Sequence, residues 1–242
     1  ATTDGNVNID DEMAQIEKET PALMILDIWL KDSRMDGIDI LKVAKRDNPD
    51  VPVSEWIDVL NAEVDAGRIN QFGGSNWTAE RIDEANAYAR ANGKQGFALL
   101  SNNFSLARME DPVWPGCLAS SQDAFRDWHT QNNFPLLPWS AQARGFFLDW
   151  DGTGLAATRH GADPTDEEMQ RVWGSTENME RRNRAYQLAD EMGVSALQIA
   201  LAYVVNQPFP CAALCRSPLC PERGLRIVEM TRRGPACDAR IA

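Results

Sequence analysis

The chain has 242 residues, enough for one large domain or two small ones with a sizeable core. Its 24 Lys and Arg against 36 Asp and Glu leave a formal net charge of −12, which repels a phosphate backbone and an anionic bilayer surface, so neither nucleic acid nor membrane is an expected partner. No apolar run reaches the roughly 20 residues that span a bilayer, and the opening ATTDGNVNIDDE has neither the basic nor the apolar region of a signal peptide, so a soluble, cytoplasmic protein is expected.

Residues 22–30, ALMILDIWL, form an apolar run of strand length broken by Asp27 and followed by the turn-like Asp36-Gly37. Ile38, Leu41, Val43 and Ala44 then recur at helical spacing until Asn48-Pro49, where the proline disfavours helix before it. Ser54 is the expected cap of a helix carrying Trp56, Ile57, Leu60 and Val64, with Gly67 as its stop. A strand is expected over 68–72, closing in Gly73-Gly74-Ser75-Asn76. Thr78 opens a helix with Ile82, Ala85 and Ala89 on one face and Asn92-Gly93 at its end, and 97–100 is the next strand.

Residues 123–128 predict a helix and 134–139 a strand. Periodicity lapses over 145–175, with Gly152, Gly154, Gly161, Pro164 and many acids, which reads as a long surface excursion. Residues 177–191, with Arg181, Arg182 and Arg184, read as a solvated helix, 195–205 as an apolar helix, and 210–214 as a final strand. Strands alternating with helices argue for parallel βα units and an α/β fold. After Pro210 the chain becomes rich in Arg, Cys and Pro and loses its period, so 211–242 reads as an irregular tail.

The cysteines are Cys117, Cys211, Cys215, Cys220 and Cys237. Zinc sites need paired Cys knuckles or His at similar spacing, and the only histidines are His129 and His160, so no metal is expected.

The stretches GRINQFGGSNWTAERIDEANAYARANG, LLSNNFSLARMEDPVWPGC, PLLPWSAQARGFF and VSALQIALAYVVNQPFP together resemble the C-terminal half of the aldo-keto reductase family over about residues 52–209. The resemblance implies an incomplete TIM-type (β/α)8 barrel with its ligand site at the C-terminal strand ends, a nicotinamide cofactor, NADP(H), and a small-molecule carbonyl substrate. Carried over by position, Ser75 and Asn76 would hold the nicotinamide carboxamide, Trp139 would stack on its ring, and Ser140, Gln142 and Arg144 would belong to the pyrophosphate loop, all around one cofactor. Ser101 stands where many members have a glutamine, which weakens that contact. Ordinary helix capping by Ser75-Asn76 and ordinary packing of Trp139 remain open alternatives.

The family's catalytic Asp, Tyr, Lys and His come from the first half of its barrel, which the resemblance does not reach, so no catalytic residue is assigned. The three tyrosines, Tyr88, Tyr186 and Tyr203, all fall in predicted helices. Where members commonly read Leu-His-Arg-Asp, this chain reads Ala44-Lys45-Arg46-Asp47, with Lys45 in the histidine position. An ammonium with an ordinary pKa of about 10.4 does not replace an imidazole.

Upstream, PALMILDIWLKDSRMDGIDILKVAKRDNPDVPV resembles the middle of a response-regulator receiver domain, which puts Asp27 in the phosphoacceptor position. Asp10, Asp11 and Glu12 lie too close to Asp27 to be the acidic pair such a domain needs, so a plain strand-end acid is the simpler reading. RDNPDVPV suits both families and reads as a join, giving a receiver-like segment over 1–53, an aldo-keto reductase half-barrel over 54–210 and the tail over 211–242. Codons such as TGT CGG TCC CCG for Cys215 to Pro218, read one base later, begin Val-Gly-Pro-Arg, which resembles the family's last-strand phosphate motif, so a frameshift after Phe209 is the expected origin of the tail. The expected function is an aldo-keto reductase oxidoreductase by descent, inactive as this chain. The rivals are a phosphoacceptor module using Asp27 and a chimera without a function of its own.

Overall fold

The computed structural model describes residues 51–148 and 166–216, together with the backbone of two strands at 24–27 and 225–228. They divide into two compact units, one ending at Ser101 and the other beginning at Asn102. The helix expected over 38–44, Lys45, Asp10, Asp11, Glu12, His160, Cys220 and Cys237 lie outside the described residues.

In the first unit, β1 (Met24–Asp27) pairs in parallel with β2 (Phe72–Ser75), which pairs in parallel with β3 (Leu100–Ser101). The strand expected over 68–72 lies further along: Gly73 and Gly74 are inside β2, not in a turn after it. The reason is steric. A Cβ on Gly73 would meet the Leu99 side chain at 2.6 Å, and the Gly74 amide donates to the Leu99 carbonyl at 3.1 Å, so two glycines let the neighbouring chain close in. The ladder to β3 already begins with the Ala98 amide donating to Phe72 O at 2.9 Å, in keeping with the strand expected from residue 97.

Helix α1 (Val53–Asp65) buries Trp56, Ile57 and Leu60 of its expected stripe together with Val53, while Val64 is only half-buried. Ser54 is not its cap. Pro52 takes the N-cap place without a side-chain bond, because the buried Val53 draws the helix start two residues earlier. At the other end the Arg68 amide donates to Glu63 O at 3.0 Å and the Gly67 amide to Val64 O at 2.9 Å, a Schellman closure that needs the φ of +71° at Gly67. Helix α2 (Ala79–Ala91) is capped by Thr78, whose hydroxyl accepts from the Arg81 amide, and buries Ile82, Ala85 and Ala89.

Two side-chain amides tie these helices to the segment entering β3. Asn61 accepts from the Gln95 amide at 2.8 Å and donates to Gln95 O at 2.9 Å, and Asn86 accepts from the Phe97 amide at 2.7 Å. Beside them Trp77 packs on Phe97 at 4.7 Å between ring centroids, and Phe72 meets Phe97 edge-on at 5.4 Å.

The second unit continues the parallel pattern with shorter pairings. Asn103 bridges in parallel both Ala119 and Trp139, and Leu136 bridges Cys211. The expected strand over 134–139 is thus reduced to isolated bridges, since Pro135 and Pro138 have no N–H to give a ladder. Helix α3 (Asp123–Asn132) runs four residues past its expected end, to Asn133 in the left-handed region. Helix α4 (Asp166–Trp173) corrects the reading of 145–175 as a surface excursion throughout: Met169, Val172 and Trp173 are buried at i, i+3 and i+4, a short stripe that the surrounding acids masked.

Helices α5 (Thr176–Met192) and α6 (Ala196–Val205) follow, the second closed by a capping box of Ser195 and Gln198. Strand β4 (Ala213–Arg216) overlaps the last strand expected over 210–214 but begins three residues later. Its approach pairs with the 136–138 segment, the Ala212 amide donating to Leu136 O at 3.1 Å and the Leu214 amide to Pro138 O at 3.2 Å. Strand β5 (Leu225–Val228), within the segment that lacked a period, pairs antiparallel with β4. Among the described residues no single helix is long and apolar enough to cross a membrane.

Candidate functional site

The seven residues assigned to a cofactor divide between the units. In the first, Asp27, Ser75 and Ser101 are Cα partners in register across β1, β2 and β3, each at the C-terminal end of its strand. Ser75, Ser101 and Asn76 are each 4% exposed. Asn76 leaves the strand at a φ of +57°, its backbone amide donating to Ser101 O at 3.3 Å and its side-chain amide to the Ser75 hydroxyl at 3.4 Å. Asparagine is among the few non-glycine residues that adopt the left-handed region readily, so the turn that takes the chain out of β2 at Asn76 carries little strain.

In the second unit the Trp139 amide donates to Asn102 O at 3.3 Å, so Trp139 stands at the end of a bridging segment. Its half-buried ring stacks on Trp114 with centroids 4.8 Å apart and planes 26° from parallel. The loop after it is tightly wound: Ser140, Ala143 and Arg144 all have positive φ, and a 3-10 turn, Ala143–Gly145, closes with the Ala143 amide on Ser140 O at 2.8 Å. Gln142 is half-buried, and Arg144 is paired with Glu168 of α4 at 2.8 Å.

Sequence reading missed Asn103. It is fully buried, with no hydrogen-bond partner for either side-chain polar atom, and Trp139 Nε1 is likewise buried without one. Partners across a parallel bridge share a face of the ladder, so Asn103 and Trp139 stand side by side. The doublet Asn102-Asn103 ahead of Phe104 was the available signal, since two consecutive amides seldom continue an apolar strand.

All three tyrosines lie inside helices: Tyr88 in α2, Tyr186 in α5 and Tyr203 in α6. Tyr88 donates to Asp58 at 2.9 Å, and Lys94 also bonds Asp58, so an Asp, a Tyr and a Lys meet on the exposed outer side of α1 and α2. The bond to Asp58 raises the phenol above its ordinary pKa, while the bond from Lys94 lowers the Asp58 carboxyl. Such a phenol is a poorer proton donor.

His129 is fully buried with Nδ1 on Phe134 O at 2.9 Å, and burial pushes its pKa down to about 4. Its ring stacks on Phe209 at 4.9 Å, a packing role. Burial also pushes the Cys211 thiol up to about 12, away from the thiolate a metal needs. Among the described residues no group of three or more His, Cys, Asp or Glu is arranged to hold a metal ion.

Residues 7–233 match the sequence profile of the Aldo/keto reductase family. The chain belongs to that family. The match is wider than the 52–209 stretch singled out from motifs, and it gives the parallel βα units their context, the family's (β/α)8 type of fold. The versiconal hemiacetal acetate reductase of Aspergillus parasiticus is 26% identical over 174 residues, which are 71% of this chain and 46% of that protein. The nitrogen assimilation regulatory protein NtrX of Azorhizobium caulinodans is 48% identical over 44 residues, 18% of this chain and 10% of that protein, in keeping with a receiver-like segment near the N-terminus of this aldo/keto reductase family member. The crystal structure of a thermostable aldo-keto reductase, Tm1743, with the inhibitor epalrestat has a TM-score of 0.48 at 16% identity, covering 84% of this chain and 55% of that one. The chain spans less than half the length of these curated relatives.

Proposed function

We propose that this aldo/keto reductase family chain binds a nicotinamide cofactor, NADP(H), and belongs by descent to the enzymes that use it to reduce carbonyls. The observation that carries the reading is the pair Ser75-Asn76 at the C-terminal end of β2, buried and fixed by the Ser101 carbonyl. A hydroxyl and an amide held rigidly offer the donor and acceptor that a carboxamide needs. A half-buried indole at Trp139 and the wound loop with Ser140, Gln142 and Arg144 suit a flat ring and a phosphate.

The cofactor, when bound, supplies the hydride. In the first unit Ser75 and Asn76 would hold its carboxamide, with Ser101 adding little because a short hydroxyl stands in a long amide's position; in the second, Arg144 would offer its charge to a phosphate. We further infer that this chain reduces carbonyls slowly, because none of its tyrosines lies at a strand end. Calorimetric titration with NADPH and with NADH tests the binding. Binding weakened about tenfold or more in Asn76→Ala, with unchanged melting, is expected, whereas no heat of binding for either cofactor in the unaltered chain would refute the reading.

A second reading is a phosphoacceptor at Asp27, favoured by its position as the last residue of β1 and by the NtrX likeness. Incubation with acetyl phosphate and Mg²⁺ should then add one phosphoryl group, lost in Asp27→Asn. A third, that the sequence is a chimera, is tested by intact mass and peptide mapping across residues 45–53 and 211–242.

A further inference from the structure

The Trp114 ring already covers the ring that a flat ligand would use. Its stack on Trp139 is close and nearly parallel, yet Trp114 sits on an exposed loop: Glu110, Asp111, Pro112, Pro115 and Gly116 are all exposed. At its ends the loop is fixed by the buried Met109 and Cys117 and by the Glu110 amide donating to Val172 O at 2.9 Å; between them its side-chain ties come mainly from α4. Arg171 bonds the Asp111 carboxylate, donates to Pro112 O at 2.8 Å and reaches Val113 O at 3.4 Å, and Ser175 adds a bond to Glu110 at 2.8 Å. Solvent-exposed bonds of this kind are individually weak, and the exposed stretch between Met109 and Cys117 belongs to the low-stability end of a fold.

Next to this movable cover lie polar groups whose bonding is unmet. Asn103, in register with Trp139, has a free amide donor and acceptor at no exposure, and Trp139 Nε1 adds a second donor. Buried polar atoms of this sort cost on the order of 1–3 kcal/mol each when unpaired, and an apolar residue at 103 would remove the cost if packing were the only role. An amide next to an aromatic face is instead the chemistry that takes a flat heteroaromatic ring bearing a carboxamide.

We propose that Trp114 is a gate: a flat carboxamide-bearing ring displaces it from the Trp139 face, and Asn103 then bonds the ligand's amide. The inference rests on the cofactor reading for Trp139 and adds a loop that must open and an amide, that of Asn103, beside the uncovered ring. Binding therefore trades one aromatic stack for another. Removing the Trp114 ring deletes the competitor, and a ring pair of this kind corresponds to about a two- to tenfold change in affinity.

The experiment is calorimetric titration of the full chain with NADPH, in the unaltered protein and in Trp114→Ala, Trp114→Phe, Arg171→Ala and Asn103→Leu, with far-ultraviolet circular dichroism on each. Expected are tighter binding in Trp114→Ala by about two- to tenfold, a smaller gain in Arg171→Ala, and weaker binding in Asn103→Leu. The exciton couplet of the stacked indoles should be present in the free protein and fade on adding NADPH. Trp114→Phe keeps the loop packed should the alanine variant fold poorly, and should retain the unaltered affinity within about threefold. Binding that is equal or weaker in Trp114→Ala, or a couplet that persists in the bound protein, overturns the gate while leaving the cofactor reading intact. No binding by the unaltered protein or by Trp114→Ala overturns both.

Discussion

At the scale of single residues, His129 couples pH to stability. Its imidazole is fully buried among Phe125, Trp128, Phe134 and Phe209, and burial lowers its pKa to about 4, against an ordinary value near 6.5. The folded state therefore holds the neutral form. Above about pH 6.5 neither state binds the proton and the group has no effect; between 6.5 and 4 the unfolded chain binds it first, and stability falls as the pH falls. At about 1.4 kcal/mol per pKa unit the loss approaches roughly 3 kcal/mol by pH 4. Urea unfolding across that range should show a falling midpoint in the unaltered chain and a flatter one in His129→Gln, and parallel curves would show that His129 is not the cause. Glu168 bears on the opposite kind of group. Its ion pair with Arg144 competes with any phosphate for the guanidinium, so Glu168→Gln should tighten NADPH binding a few-fold, with a steeper salt dependence, in the same titration.

At the scale of elements, the glycines separate two reasons for one residue type. Gly93 ends α2 at a φ of +64° with open space about it, so Gly93→Ala should cost about 1 kcal/mol and Gly93→Asn less, since asparagine tolerates that backbone. Gly73 has ordinary φ, but an added Cβ meets the Leu99 side chain at 2.6 Å, so Gly73→Ala should cost about 1–3 kcal/mol and no other side chain should rescue it. Chemical denaturation of the three variants distinguishes strain from crowding. The same contrast explains what could be read in advance. Helix stops at Gly67 and Asn92-Gly93, the helix starts at Thr78 and Ser195, and the apolar stripes of α1 and α2 are local signals, and they were legible, whereas the cap expected at Ser54 was not the one the chain uses. The place of β2 was not, because Gly-Gly inside a strand is explained only by a neighbour, Leu99, that is remote in sequence. Helix α4 was hidden because a stripe of three buried residues among acids is too short to set a period. Of the candidate site, Ser75, Asn76 and Trp139 were assigned by motif; Asn103 had a local signal in the Asn102-Asn103 doublet, whereas the stack of Trp114 on Trp139 joins residues remote in sequence and no local pattern encodes it.

At the scale of the whole molecule, the decisive question is where a proton donor stands relative to strand ends. Reduction of a carbonyl builds negative charge on oxygen, which a donor of tuned pKa and oriented dipoles must meet. The chain has three tyrosines, and all three are committed elsewhere: Tyr88 to Asp58 on the outer helices, Tyr186 to the Phe147 carbonyl at 3.2 Å, and Tyr203 to a stack on Phe104 with centroids 5.9 Å apart. The Asp58-Tyr88-Lys94 trio has the right residue types in the wrong place. Its Tyr88 phenol is also shifted in the wrong direction, since giving a hydrogen bond to a carboxylate stabilises the protonated form. Absence of a general acid typically costs about 10²–10⁴ in rate, against turnover numbers of about 1–10³ per second for ordinary enzymes. We therefore expect NADPH oxidation by this chain, followed by absorbance with a panel of aldehydes on protein of verified mass, to fall at least about a hundredfold below that range. We also expect Tyr88→Phe to leave the residual rate unchanged. A turnover within the usual range would mean that a group other than these phenols delivers the proton, and a loss of rate in Tyr88→Phe would move the chemistry to the outer face of α1 and α2.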